Sequence, residues 1–505
     1  MEAAEGTVSE MDRKLFIGGA WVDAAAGTRA EIADPATGER VGSSAIAGRA
    51  DLDSAVFAAS KALPSWSALY ADERAKILHR AADLVAERAP AIADILTREQ
   101  GKPVPDSMKE ILFGVEVIHY YAEEGRRLGG SIRPSSRADI RSLVITAPVG
   151  VVGGIVPWNY PVDLYAWKVA PVLAAGCTLV VKPPHETPLA IGMVVQCFVD
   201  AGLPAGVLND IPGTGPEVGQ AMSEHTGIAM ITATASVPAG QSIMRAGAVT
   251  LKRLSLELGG QSPFIVLDDA DPQEAAAAAA RRSFSNMGQI CIAVNRILVS
   301  KGIHAQFVDA LVAETAKIKL GHGVVPGVQY GPVLNESVRT RVTRHLDDAV
   351  ARGGRLLVGG TVPKDDAFDK GFFFQPALVD DVPDSALALT EETFGPLAAI
   401  RTVADDAEAL KVANGLPFGL AAYVYSSDLE RAWSLAERIE AGAVGVNVND
   451  TSELQAPFGG WKMSGIGREL GREGIEAFRE SKHIRMRVRP REYRIDGHSS
   501  TSCDR

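Results

Sequence analysis

The sequence predicts an α/β protein built on open, mainly parallel sheets in two successive regions. Two textures carry this prediction. From Ser142 to Ile265, β-rich apolar runs such as SLVITAPVGVVGGIV and CTLVVK alternate with helical stretches such as LAIGMVVQCFVDAG. The runs are continuously apolar, as strands covered on both faces require. Strand–helix–strand alternation implies a parallel sheet with right-handed crossovers. The same alternation resumes at Asp271 and continues to about Asn447.

Taken in order, residues 13–45 read as short strands and turns, with a DPATGE turn at 34–39. From Asp51 to Ile95 apolar residues recur at three- and four-residue spacing, which predicts a helix pair interrupted near Pro90. A helix near Ala166–Leu173 follows the first strands of the α/β region, and VLNDI at 207–211 is a further strand. The texture of 142–265 is that of an open nucleotide-binding sheet. Asp271-Pro272-Gln273-Glu274 supplies an N-cap, an N1 proline and an N3 acid, so a helix should begin there and run through Ala275–Ala280. The charged stretch 361–371 reads as a solvated connection. Near the end, Ile484, Met486 and Val488 alternate with Arg485, Arg487 and Arg489, which predicts a strand with one wet face. The polar segment from Tyr493 reads as a loose tail.

Composition bounds the function. The chain has 505 residues, a prior of two to four domains. Apolar residues make up 46% and charged residues 22%, which fits a globular protein. The net charge of −11 disfavours nucleic-acid and anionic-membrane partners, which draw on clustered Lys and Arg. The longest apolar stretch, 169–181, is thirteen residues long and bounded by Lys168 and Lys182. A bilayer span takes roughly 20. The first residues lack the apolar core of a secretion signal. The cysteines, Cys177, Cys197, Cys291 and Cys503, are too few and scattered for a disulfide framework, so free thiols in a reducing cytoplasm are expected.

Several segments hold residue types suited to chemistry. Cys291 lies in FSNMGQICIAVNR. A nucleophilic cysteine needs a niche that favours its thiolate; on this segment alone a core thiol is the commoner state. Cys177 and Cys197 sit in apolar runs and read as core. Glu257 lies inside the apolar run RLSLELGGQSPFIV. A buried carboxylate is costly unless paired or used. Desolvated, it serves as a general base near neutrality; bonding to nearby backbone amides is an equal alternative. Asn159, framed by Pro157 and Pro161, is an amide on fixed backbone, suited to donating to an oxyanion or to making its own turn. Gly213, Gly215 and Gly219 form GxGxxxG, which differs from the dinucleotide fingerprint. Lys182 closes a strand at its carboxyl end, where ligands of parallel sheets bind. The histidine spacings offer no metal site.

Seven landmarks stand in order: PWNYP at 157–161, VKPPHETP at 181–188, GxGxxxG at 213–219, LELGGQSP at 256–263, GQIC at 288–291, EETFGP at 391–396 and PFGGWKMSGIGRELG at 457–471. Together they resemble the aldehyde dehydrogenase superfamily, from about Lys14 to Val488. The resemblance implies a dinucleotide-binding domain over 1–126 and 146–256, and a catalytic domain over 257–447. It also implies a small β oligomerisation arm over 127–145 and 474–490, with a flexible tail at 491–505 and a homo-oligomer.

It further implies NAD(P)-dependent oxidation of a small aldehyde to a carboxylic acid through a cysteine thiohemiacetal and thioester. In that reading Cys291 is the nucleophile, Glu257 the general base, Asn159 the oxyanion donor and Lys168 a supporting group. Lys182 binds the adenosine ribose, Gly215 and Gly219 belong to the glycine turn, and Ser236 holds the pyrophosphate at a helix N-terminus. Glu392 and Phe394 hold the nicotinamide ribose, and Trp158 lines the same cleft.

Two positions depart from the family pattern. Ala235 replaces a glycine, and His185 replaces the glutamate that grips the ribose hydroxyls. A glutamate there repels a 2′-phosphate and a histidine does not, so NADP is expected to serve at least as well as NAD. Tyr160, Leu164, Trp167 and Phe458 match the walls of the aldehyde tunnel. Asp163, near its mouth, either favours a cationic aminoaldehyde or faces solvent. A CoA-acylating semialdehyde dehydrogenase is the alternative within the enzyme class, and Glu257 argues against it. A non-catalytic protein keeping the fold is the third reading; the presence of Cys291, Glu257, Asn159 and Glu392 together argues against that.

Overall fold

The computed structural model describes residues 11–488; the expected tail at 491–505, Cys503 and Arg489 lie outside the described residues. Three long helices, Arg49–Ala68, Ala71–Gln100 and Val104–Arg127, lie between the first strands and the arm. The expected break at Pro90 is absent: the chain breaks at Leu69–Tyr70 instead, and Ala71–Gln100 runs through Pro90. Pro90 is exposed, and so is Ala86, whose carbonyl loses its partner to the proline ring. A proline on the wet side of a helix leaves that carbonyl to water, and the buried side continues undisturbed.

An eight-stranded sheet runs, edge to edge, Gly465–Ile466, Arg253–Leu258, Met230–Ala235, Val151–Ile155, Thr178–Lys182, Leu208–Asp210, Leu15–Ile17 and Ala20–Val22. The five strands from Arg253–Leu258 to Leu208–Asp210 are mutually parallel and almost wholly buried. The chain first builds outward from Val151–Ile155 to Leu208–Asp210. It then returns to lay Met230–Ala235 on the other side of Val151–Ile155. Such a reversal opens a crevice at the carboxyl ends of the two strands. The helix between them and Thr178–Lys182 spans Pro161–Ala174, a turn earlier than its apolar pattern suggests, because Pro161 sets its first position.

The second sheet has seven strands in the order Arg355–Val358, Ala377–Asp380, Leu397–Val403, Arg296–Ser300, Pro263–Val266, Ala421–Tyr425 and Ala443–Val446. All neighbours are parallel except the first pair. The helix Pro272–Phe284 begins where its cap residues place it: the Asp271 carboxylate accepts from the backbone of Gln273 at 2.8 Å and Glu274 at 3.1 Å.

A separate antiparallel sheet joins Arg479–Arg487 to Ile140–Pro148 and Ser131–Arg133. The last strand was expected to have one wet face. In the single chain nearly every residue of Arg479–Arg487 is exposed, Ile484 and Met486 included.

Candidate active site

The candidate residues gather at the carboxyl ends of the parallel strands. Trp158 and Asn159 follow Val151–Ile155, Lys182 ends Thr178–Lys182, Ser236 follows Met230–Ala235, and Glu257 lies next to the end of Arg253–Leu258. Cys291 comes from the second region, on the loop before Arg296–Ser300, and Glu392 and Phe394 precede Leu397–Val403.

A cavity of about 780 Å³ lies between the two regions. Cys291, Asn159, Tyr160, Asp163, Leu164, Trp167 and Phe458 all line it. Cys291 is therefore not a core thiol, unlike Cys177 and Cys197, which are wholly buried. Asp163 is only 9% exposed and sits in the cavity wall, so the solvent-facing alternative is corrected. Its helix folds its first turn against the long helix Val104–Arg127, which brings Asp163 next to Glu110.

The loop bearing Cys291 has an unusual backbone. Asn286, Met287 and Gly288 have φ of +47°, +55° and +70°. A Cβ on Gly288 would collide with the Gly395 carbonyl. Left-handed backbone is unfavourable for Met and tolerated by Asn, so the loop must be held by its surroundings. Hydrogen bonds do this. The Asn286 amide donates to the Asn159 carbonyl at 3.0 Å and accepts from Gln100 Nε2 at 3.1 Å. Asn159 Nδ2 in turn donates to the Gln289 carbonyl at 2.9 Å. The Lys102 ammonium donates to the same Asn159 carbonyl at 2.7 Å, pairs with the Glu110 carboxylate and sits 3.7 Å from the centre of the Tyr160 ring. The other Glu110 oxygen accepts from the Val162 N–H at 2.8 Å, capping the helix Pro161–Ala174 from outside. Removing one partner of a buried ion pair leaves the other uncompensated. Lys102→Met should thus cost about 3–5 kcal/mol of stability, read as a lower urea midpoint at fixed protein concentration; an unchanged midpoint would mean that the Lys102–Glu110 pair does not stabilise the fold.

The two proton-carrying groups stand together. Both Glu257 oxygens are buried, and among the described residues no backbone amide donates to them; their neighbour is the Cys291 thiol, so the alternative of bonding to backbone amides is corrected. Burial, and then the neighbouring Glu469 carboxylate, push the Glu257 carboxyl up to about 8, against the pull of the Cys291 thiol and Lys168. Burial and the adjacent Glu257 carboxylate push the Cys291 thiol well above its ordinary range. Lys168 is wholly buried and donates to Thr234 Oγ1 at 2.6 Å and Glu469 Oε1 at 2.5 Å. Glu469, Thr234, Lys102, Glu110 and Asn286 were not singled out from the sequence. The signal for Glu469 was Lys168 itself: a lysine in the apolar run LYAWKVAP needs a counter-charge, but its position 301 residues later is set only by the fold.

Along the crevice, the fit to a dinucleotide can be judged from the residues. Ser236 is exposed and caps the helix Val237–Ala248, accepting from the Ala239 N–H at 3.4 Å. The helix N-terminus is thus a donor site for an anion. A Cβ on Gly215 would meet nothing within 4 Å, and one on Gly219 would face the Lys182 side chain at 3.8 Å. The Lys182 ammonium donates to the Pro183 carbonyl at 3.2 Å and the Gly213 carbonyl at 3.1 Å, and burial brings it down to about 8. Glu392 accepts from the Gly260 N–H at 3.1 Å; burial raises it to about 7, opposed by that amide and by Arg341. Phe394, at φ +49°, sets its ring edge-on to Trp158, with centroids 5.4 Å apart. These groups fit an extended ligand with an anionic middle and sugar hydroxyls at either end. His185 Nδ1 lies 3.1 Å from a Glu186 carboxylate oxygen, so a carboxylate stands beside the position after all.

The profile of the aldehyde dehydrogenase family matches residues 21–484. Glutarate-semialdehyde dehydrogenase of Pseudomonas putida is 40% identical over 476 residues, covering 94% of this chain and 98% of that protein. The NADP(+) succinate-semialdehyde dehydrogenase of Escherichia coli is 39% identical over 472 residues, covering 94% of this chain and 97% of that protein. Among solved structures, betaine aldehyde dehydrogenase of Staphylococcus aureus in complex with NAD+ superposes with a TM-score of 0.93 at 35% identity, covering 96% of this chain and 97% of that one. The landmarks, the crevice at the strand reversal and this similarity along nearly the whole chain have one conclusion: the chain belongs to the aldehyde dehydrogenase family, enzymes that oxidise aldehydes to acids with NAD or NADP.

Proposed function

We propose that this enzyme oxidises a small aldehyde by a hydrolytic route in which Cys291 is the nucleophile, Glu257 the general base and Asn159 the oxyanion donor. The observation that supports it is the buried Glu257 carboxylate, without a backbone donor among the described residues, beside the thiol that lines the cavity. Glu257 takes the Cys291 proton, and the thiolate attacks the aldehyde carbon. The resulting thiohemiacetal oxyanion is held by Asn159 Nδ2 and the Cys291 backbone N–H, fixed donors that need no reorganisation. Bound NAD or NADP supplies the hydride acceptor. Lys182, Ser236 with the glycine turn at Gly215 and Gly219, and Glu392 with Phe394 and Trp158 hold its two ends and its middle. Loss of hydride from the thiohemiacetal leaves a thioester on Cys291, and Glu257 releases to solvent the proton it took from the thiol. Glu257 then takes a proton from water as the water attacks the thioester; the C–S bond breaks, the Cys291 thiolate is freed and the acid leaves. Lys168 supports Glu257 electrostatically from its pair with Glu469. The test is reduction of NAD and NADP with aliphatic, aromatic and amino aldehydes. Acid should form without added thiol acceptor; turnover that requires CoA would overturn the hydrolytic reading.

His185 bears on cofactor choice. In this reading it faces the adenosine ribose, where it donates to a 2′-phosphate and, protonated, attracts it. Its neighbour Glu186 keeps NAD usable. His185→Glu should lower kcat/KM for NADP by well over tenfold, more than about 1.4 kcal/mol, and raise it for NAD. An unchanged NADP/NAD ratio would mean that the imidazole points away from the ribose.

The same reading divides the chain as expected from its resemblance, with residues 127–145 and 474–490 as an arm between subunits. The exposed strand Arg479–Arg487 and the exposed Ile132, Ile484 and Met486 support it, since open sheet edges and apolar side chains are normally covered. A homodimer or a tetramer of two dimers is expected by light scattering, and a monomeric mass would refute this. The proposed compartment is the reducing cytoplasm, which suits a thiol nucleophile; among the described residues no helix is long and apolar enough to cross a membrane.

A further inference from the structure

We propose that Asp163 selects aldehydes that carry an ammonium group at the end remote from the carbonyl. The inference deepens the aldehyde-oxidising reading of the cavity and rests on it. Asp163 lies on the first turn of Pro161–Ala174 and lines the same cavity as Cys291. The other carboxylates of the wall are paired: Glu110 with Lys102, Asp106 with Lys109 at 3.1 Å, and Asp450 with Arg282 at 2.8 Å. Asp163 has no ion-pair partner among the described residues. Its Oδ1 accepts only the Trp167 indole N–H, at 2.7 Å. The cations Lys109 and Arg281 also line the cavity but stand exposed, where water and salt screen them.

The surroundings of Asp163 favour a cation. The Phe113 and Phe458 rings lie edge-on to Trp167, with centroids 6.5 Å and 5.2 Å away, so the wall around the carboxyl is aromatic. Ring faces attract ammonium groups and offer nothing to carboxylates. Burial, then the neighbouring Glu110, hold the Asp163 carboxyl well above the usual carboxylate range. An ammonium group brought against it favours the ionised form, and the attraction is stronger in a half-dry cavity than at the surface. An aldehyde ending in a carboxylate gains no ion pair from Asp163, and the buried Arg282 of the same cavity is already held by Asp450.

The test compares three probes: trimethylammonioacetaldehyde, its neutral isostere 3,3-dimethylbutanal, and 4-oxobutanoate. In the wild type, kcat/KM for the ammonium aldehyde should exceed that of the neutral isostere by at least about tenfold, with 4-oxobutanoate the poorest. Asp163→Asn keeps the acceptor for Trp167 and removes the charge, so it should fold and bring the ammonium-to-neutral ratio to within about threefold. Asp163→Leu should likewise bring the ammonium-to-neutral ratio to within about threefold. As an independent reading, tetramethylammonium should compete with 3,3-dimethylbutanal in the wild type and not in either variant. A wild type that prefers the neutral or anionic probe, or variants that keep the ammonium preference, would overturn the proposal. If no aldehyde of any charge is oxidised, the reading of the cavity fails and this inference fails with it. Oxidation of neutral aldehydes without ammonium preference removes Asp163 alone.

Discussion

Cys291→Ala should reduce turnover by at least about 10⁴-fold, equivalent to about 5.4 kcal/mol of lost transition-state stabilisation, with fold and cofactor binding unchanged. The side chain is half-buried at the cavity wall, and its side-chain neighbour is the Glu257 carboxylate rather than a group that holds the fold together. The expected readouts are absent NAD(P)H formation, an unaltered melting profile and unaltered quenching of protein fluorescence by NADP. Cys291→Ser should behave alike, since a hydroxyl is a far weaker nucleophile. Turnover near that of the wild type would show that the thiol is not the attacking group.

Glu257→Gln should divide the reaction into its halves. With the base lost, water is no longer activated, and steady-state turnover should fall by roughly 10²–10⁴-fold. Rapid mixing should still give a burst of reduced cofactor, slower than in the wild type because the Cys291 proton must then leave to solvent, followed by still slower release of acid. The wild-type pH profile follows from the same carboxyl. Its raised pKa, about 8, means that the active, ionised form is present above that value and lost below it. Thus kcat/KM should climb as pH rises through about 8, and the limb should vanish in Glu257→Gln. A steady-state rate equal to that of the wild type would remove Glu257 from the mechanism.

Local physics made much of this legible from the residues. Continuous apolar runs implied buried parallel strands, and the runs at Val151–Ile155, Thr178–Lys182 and Pro263–Val266 are buried throughout. Asp271 capped its helix as its type and position implied. What local physics could not show was burial on one side of an element. Pro90 reads as a breaker unless its exposure is known. The same applies to polar groups whose partners are distant in sequence. Nothing near Asn159 implies that its carbonyl holds Lys102 and Asn286, from 57 and 127 residues away. Asp163 was an anomaly of pattern, and only the fold turned it toward the cavity. The family landmarks brought the site residues together on paper because they carry information that no single segment holds: Cys291 and Glu257 lie in separate sheet regions and become neighbours only in the fold.

The pairing of Lys168 with Glu469 also constrains how the molecule is made. The two lie 301 residues apart, and the short strand Gly465–Ile466 that borders Arg253–Leu258 comes from the same late segment. At about 5–20 residues per second, a ribosome takes roughly 15–60 s to deliver Glu469 after Lys168 has emerged. During that interval the first sheet has its core residues but an open edge beside Glu257 and a lysine without its counter-charge. The nascent chain is therefore expected to remain a binding target for chaperones until the region around residue 470 clears the exit tunnel, and the buried charge to be neutralised only when the edge strand docks.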